Sequence, residues 1–347
     1  MAQINKPSDH FRIKLYTGNA SNDTAITFDE STNMKPDWLW IKNRSAAQSH
    51  AVFDSTRGPL KRISPNSNAA EGTENTNLDS FDTNGFTVDN EAIVNGSGNG
   101  MVGWGWKANG GTTATNSNGS LSSTVQANTT AGFSIVYWTN NTGSVQTIGH
   151  GLNAVPKMIM MKVLGNTGSW NTYHESIGNT HGLYLNSSAV AEDNVAFFND
   201  TSPTNQVFTT GTNGNLVNNT LIAYCFAEKK GYSRFGKYIG NGNANGTFVY
   251  TGFRPAWVML KATGIAENWW MFDSKRSAFN VANDGLIASG NNTEYTDNST
   301  LKIDILSNGF KIRNSDGSMN QTNGTYIFMA MAESPLVGTN KVPAVAR

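Results

Sequence analysis

The feature that most constrains this chain is that it repeats itself three times. Each copy opens with a Tyr followed three residues later by an Asn: Tyr16 and Asn19, Tyr137 and Asn140, Tyr238 and Asn241. Each then carries Pro, five residues and Lys, at Pro36 and Lys42, Pro156 and Lys162, Pro255 and Lys261. Eleven residues after each Lys stands an aromatic, Phe53, Tyr173 or Phe272, followed by a polar pair: Asp54-Ser55, His174-Glu175, Asp273-Ser274. An Asn then precedes an aromatic run at Phe86, Phe208 and Phe310, and each copy ends on an apolar strand. Spacing conserved within one chain marks a supersecondary unit used several times.

The unit reads as β structure. The segments between Pro and Lys are short, unbroken apolar runs bounded by Asn, Gly and Pro, so both of their faces are covered. Proline lacks an N–H and is tolerated at the first residue of a strand. The terminal lysines are expected to stop these strands at the surface. In the closing strands bulky residues alternate with small ones: Val102, Trp104 and Trp106 with Gly103 and Gly105, and Ile222, Tyr224 and Phe226 with Ala223, Cys225 and Ala227. In the third copy Ile327, Met329 and Met331 alternate with Phe328, Ala330 and Ala332. Successive side chains of a strand point to opposite faces. The bulky face is expected to be the unit's own core, and the small face to receive a neighbouring unit or a symmetry mate.

Turn signals every 8–12 residues complete the pattern of a sandwich or barrel. The fold class expected is all-β, with three tandem β-sandwich repeats of jelly-roll or lectin-like type. Residues 1–108 form the first repeat with an N-terminal arm, 132–230 the second and 231–333 the third. The Gly-, Ser-, Thr- and Asn-rich segment 109–131 reads as a linker, and 334–347 as an extended C-terminal arm. The short second join predicts that the last two repeats pack together while the first is freer to tilt. Helical turns are expected only at 29–34 and 275–282.

Composition narrows the function classes. Lys+Arg and Asp+Glu are 25 each, giving zero net charge, and no basic run supplies the footprint of a nucleic-acid binder. Charged residues are 14%, against about 25% in ordinary soluble domains, and Asn, Gly, Thr and Ser take their place. The single cysteine, Cys225, excludes an internal disulfide and reads as a buried core residue. No signal peptide and no 18-residue apolar stretch is visible, so no membrane insertion is expected.

Catalytic templates fail. There is no Gly-x-Ser-x-Gly elbow, no His-Glu-x-x-His and no phosphate loop ending in Gly-Lys-Ser/Thr. The Gly-rich run at 96–105 feeds a strand and reads as a hairpin loop. His174, Glu175 and His181 could meet around a metal, but the other copies place Asp54 and Asp273 at the position of His174, and a repeated metal site would repeat its ligands. Asp54 and Asp273 lie in different copies and read as turn caps rather than as a glycosidase acid pair. No catalytic residue, metal or cofactor is assigned. Trp269 and Trp270 adjoin, so on a strand one faces away from the other: both are expected to be buried, one in the sandwich and one against a neighbouring unit, with an exposed platform for sugar rings as the alternative. They are the candidate ligand-binding residues.

Several runs resemble a family of marine bacteriophage proteins. They include Ile4-Asn5-Lys6-Pro7-Ser8-Asp9, Lys14-Leu15-Tyr16-Thr17-Gly18-Asn19, Pro36-Asp37-Trp38-Leu39-Trp40-Ile41-Lys42, and Tyr250-Thr251-Gly252-Phe253-Arg254-Pro255-Ala256-Trp257. Gly105-Trp106-Lys107-Ala108, Thr147-Ile148-Gly149-His150-Gly151-Leu152 and the tail from Ser334-Pro335 to Pro343-Ala344-Val345-Ala346-Arg347 fit as well. The resemblance implies a virion structural protein, tail-associated or fibre-like, on the particle exterior, and it transfers no catalytic or binding residue. The expected partners are other virion proteins, further copies in a homotrimer, and a host-surface glycan. A capsid decoration or scaffold component without ligand binding is the alternative, and a glycan-degrading enzyme ranks last.

Overall fold

The computed structural model describes residues 3–212 and 216–337. The chain is predominantly β, built of antiparallel sheets. Three larger sheets repeat one strand order. In the first, the opening strand Phe11–Thr17 pairs with the closing strand Gly100–Trp106, which pairs with Trp38–Asn43, then Ala51–Asp54, then Gly58–Ile63. The second runs Phe133–Asn140, Asn219–Phe226, Met158–Val163, Asn171–His174, His181–Tyr184. The third runs Ser233–Ile239, Thr325–Pro335, Phe253–Ala262, Trp270–Asp273, Leu286–Ile287. The first and last strands of each copy are thus neighbours, and the Pro–Lys strand lies next to the closing strand, on the side away from the opening strand.

The closing strands decide how the copies assemble. Trp38 faces Trp106 and Trp40 faces Trp104 across the first sheet. The corresponding pairs are Met158 with Phe226 and Met160 with Tyr224, and Trp257 with Met331 and Met259 with Met329. All twelve residues belong to one buried cluster drawn from all three copies. Ring contacts cross the joins: Trp38 lies 4.7 Å from Tyr224 and Trp106 lies 5.7 Å from Trp257, centroid to centroid. The bulky faces therefore build one shared centre, not three separate cores, and the first copy contributes to it alongside the other two.

The small faces are covered within each copy. A second, smaller sheet lies over each: Thr24–Thr27, Gly85–Val88 and Leu78–Asp82 in the first copy, Gln146–Gly149 with Val207–Thr210 in the second. In the third it is Phe248–Tyr250, Gly309–Ile312 and Ile303–Leu306. Three satellite clusters fill these spaces. Gly103 and Gly105 are small because a Cβ at either would come within 2.9 Å of the Phe86 or Phe28 ring. The expectation that these faces receive a neighbouring unit or a symmetry mate is corrected: alternation reports two unlike faces, and when both are buried it does not say which one looks inward.

Other expectations change too. Segment 109–131 is no linker. Its strands Ala114–Asn116 and Ser123–Asn128 extend the second large sheet, and Gln126 reaches the first copy through Ser55 and Thr56 at 3.0 and 2.8 Å. A sheet-edge strand needs few apolar residues, and Ser and Thr serve it well, so composition alone reads as loop. The N-terminal segment is not a free arm either: Ile4 is buried in the central cluster and its N–H donates to Lys230 O at 3.0 Å. Of the expected C-terminal arm, Ser334 and Pro335 end the last strand, and residues 338–347 lie outside the described residues. The segments 29–34 and 275–282 form bends and turns, while four-residue helices occur at Ala92–Asn95, Val195–Phe198 and Gly317–Asn320. The Tyr-x-x-Asn motif explains two of these helices. Tyr16 and Tyr238 donate their hydroxyls to Val94 O and Met319 O at 2.6 and 2.7 Å. Asn19 and Asn241 pair with Asn95 and Asn320 through amide hydrogen bonds of 3.0 Å.

Candidate functional site

The two tryptophans singled out from sequence are both buried. Trp269 is 2% exposed, lies in the central cluster and donates its indole N–H to Tyr184 O of the second copy at 3.0 Å. Trp270 is 4% exposed and packs in the satellite cluster of the third copy, 5.3 Å from the Tyr295 ring. Neither offers a face to a sugar. Adjacent residues of a strand do point opposite ways, but here each side is covered.

The repeated polar residues instead meet at the joins between copies, in four equivalent sets that run round the ring in one sense. The first set is the lysines. Lys42, Lys162 and Lys261 are wholly buried, against the expectation of surface strand ends. Each amine donates to the carbonyl of the residue after it, at 2.6, 2.9 and 2.6 Å respectively. Each also reaches a carbonyl of the preceding copy: Asn291, Asn68 and Ser188 at 3.4, 3.4 and 3.3 Å. Desolvation pulls the pKa of all three down to about 8.

The second set stands eight residues beyond each lysine, at His50, Trp170 and Trp269. All three present an N–H to a carbonyl of the preceding copy, at Ile287 (2.9 Å), Ser64 (3.0 Å) and Tyr184 (3.0 Å). His50 Nδ1 accepts from the Trp40 indole at 2.8 Å, which leaves its proton on Nε2 as the donor. The third set is main chain. The N–H groups of Glu71, Ala191 and Glu294 donate to Leu164, Thr263 and Arg44 of the next copy at 2.9, 2.8 and 2.8 Å. Each acceptor lies two residues after a buried lysine.

The fourth set is the polar corner twelve residues after each lysine. Asp54 Oδ1 caps its own turn by accepting from the N–H groups of Thr56 and Arg57, and Asp273 does the same for Lys275 and Arg276. The other oxygen takes Arg57 Nε or Arg276 Nε at 2.5 Å. It also accepts a donor from the next copy: the Tyr224 hydroxyl to Asp54 at 2.7 Å and the Trp104 indole to Asp273 at 3.1 Å. Burial opposes the charge on both arginines, but the adjacent carboxylates outweigh it and their pKa values rise. His174 fills the same place in the second copy. Its Nδ1 accepts from Ser176 N–H at 3.2 Å, and its Nε2 faces Phe328 O of the third copy at 3.1 Å. Burial holds His174 neutral, with a pKa lowered to about 4, and His50 likewise at about 3.

His174 and His181 do not share a metal. The His174 ring is engaged on both nitrogens, while His181 Nδ1 contacts the Thr180 hydroxyl at 2.8 Å. No cluster of His, Cys, Asp or Glu that could hold a metal occurs among the described residues. No helix among them is long and apolar enough to cross a membrane. Cys225 is buried, and desolvation raises its pKa. These ionisable groups are arranged to bond one another and the backbone, which fits them for holding copies together. Two signals for this arrangement were present in the sequence: Asp-x-x-Arg at 54–57 and 273–276, and an indole or imidazole eight residues after each Lys.

One open concavity lies elsewhere, between the second and third copies, where a groove of about 680 Å³ is bounded by Asn153, Lys229, Arg234 and Tyr250. Against known proteins, residues 6–335 match the model of a family described as a domain of unknown function (DUF7483). No curated protein and no solved structure matches.

Proposed function

This chain belongs to that family of unknown function, and we propose that it is a non-enzymatic structural component of a bacteriophage particle, tail-associated or fibre-like, acting through its outer surface. The observation that carries the reading is the use made of the repeated polar residues. Lys42, Lys162, Lys261, Asp54, His174 and Asp273 are buried at the joins and bond neighbouring copies. A triplicated module whose ionisable groups lock its own ring is built for rigidity, and rigidity suits a part that transmits or resists force in an assembly. Each larger sheet with its smaller partner serves as one β-sandwich unit, used three times in tandem. The sequence resemblance to phage virion proteins supports the location on a particle exterior. The small faces give no support to a homotrimer, because the chain covers them itself.

Immunogold labelling of purified particles with antibody to the folded chain tests the reading. Label at the tail is expected. Absence of the chain from purified particles overturns it, and label on the capsid turns it into a decoration protein. Release of reducing ends from host polysaccharide by the pure chain would contradict the non-enzymatic part.

A further inference from the structure

The groove between the second and third copies differs in charge from the rest of this neutral chain. Lys157, Lys229, Lys230 and Arg234 line it, with Glu228 as the one lining carboxylate. Arg234 pairs with Glu228 at 2.6 Å and Lys157 with Glu175. No hydrogen bond or ion pair engages the amines of Lys229 and Lys230 among the described residues. Their backbone is nonetheless fixed, since Lys229 O accepts from Tyr232 N–H and Lys230 O from Ile4 N–H, both at 3.0 Å. Two adjacent cations on a fixed backbone, without a counter-ion among the described residues, suit an anionic ligand.

Tyr250, which also lines the groove, adds a second requirement. Tyr250 is 56% exposed at the end of the strand Phe248–Tyr250, while its neighbour Val249 is buried beneath. Its ring lies against Gly252, where a Cβ would stand 3.6 Å from the hydroxyl oxygen and 3.7 Å from ring carbons. Gly252 has φ +81°, so the turn that supports the ring favours glycine. A bare anion would need no such aromatic face. The volume suits a ligand of two or three sugar rings, and the amides of Asn153 and Asn205 supply donors and acceptors for hydroxyl groups.

We propose that this groove binds an acidic saccharide, with Tyr250 stacked on a pyranose face and Lys229 and Lys230 receiving its carboxylate. The inference deepens the surface-acting role proposed above and rests on it. Partial burial of Lys229, which lowers its pKa, strengthens any ion pair it forms there.

Calorimetric titration of the full chain with a galacturonate trisaccharide tests the proposal, with its methyl-esterified form, inorganic phosphate and oligothymidylate as comparisons. Saturable binding of the acid form is expected, at least tenfold weaker for the ester and weakened by salt. Tyr250→Ala, and Lys229→Gln with Lys230→Gln, should each lower affinity at least tenfold, whereas Lys61→Gln in the first copy should leave it unchanged. Circular dichroism on each variant confirms folding. No saturable binding, or binding that survives both groove variants, overturns the proposal. Equal affinity for phosphate or oligothymidylate overturns the assignment to a saccharide. The particle-labelling result is independent: label present with no titration removes the groove alone, and titration with no label removes the virion role alone.

Discussion

Twelve residues after the buried lysine, the first and third copies carry Asp54 and Asp273, whereas the second carries His174. All three cap the following turn through a side-chain acceptor and all three touch the closing strand of the next copy. They differ in what that strand presents. Tyr224 and Trp104 offer a hydroxyl and an indole N–H, so a carboxylate is the right partner. The equivalent residue of the third copy is Met329, which has no strong donor, and the nearest polar group is the Phe328 carbonyl. A carboxylate there would face a carbonyl across a buried join. A neutral imidazole keeps one acceptor for its own turn and turns a donor outward. The corner is thus selected by its neighbour, and the three joins of the ring are chemically distinct even though the backbone plan repeats.

The largest test of this comparison is Asp273→Ala. It strips Arg276, which is wholly buried, of its closest carboxylate and leaves the Trp104 indole unpaired. A loss of about 3–5 kcal/mol in urea unfolding is expected. A loss under about 1 kcal/mol would mean that Glu294, 2.8 Å from the same guanidinium, suffices to hold that join.

The histidine corner should be separable by pH. His174 and His50 titrate at about 4 and about 3 when folded, below the ordinary 6.5. Between those values and 6.5 the unfolded chain binds more protons than the folded one. Their contribution is therefore complete above pH 6.5 and is lost as pH falls through this window. The loss from His174 is on the order of 3 kcal/mol. His174→Gln keeps a neutral side chain with donor and acceptor, so the acid limb of its stability profile should shrink, leaving the share due to His50. An unchanged limb would place the acid sensitivity elsewhere. The smallest effect is expected for Tyr224→Phe. It removes one donor to Asp54 while Arg57 stays bound, at a cost of about 1–2 kcal/mol, and a neutral outcome would show that the hydroxyl adds nothing to that join.

Much of the plan was legible in the linear chain. The Pro-to-Lys spacing, the Lys-to-aromatic spacing and the bulky–small alternation identify three copies of a strand-built unit, because each reflects a periodicity of the backbone itself. The turn-capping role of Asp54 and Asp273 was legible for the same reason, since the groups it bonds lie two and three residues away. The burial of Lys42, Lys162 and Lys261 was not. A lysine at a strand end is ordinarily solvated, and here carbonyls of its own copy together with one from the preceding copy, distant in sequence, make the buried position tolerable. For Trp269 and Trp270 the sequence left a buried pair and an exposed platform both open, because alternation separates two sides of a strand without saying what covers each.

By itself, then, the sequence determined the β character, the triplication and the local turns, all of which follow from forces acting over a few residues. Tertiary structure alone decided that the bulky faces converge on one centre, that the small faces take the aromatic rings of their own smaller sheets, and that the polar corners speak to neighbours. Those outcomes depend on which surfaces meet, and a surface's partner is fixed by shape and hydrogen-bond complementarity across long separations that no local pattern records.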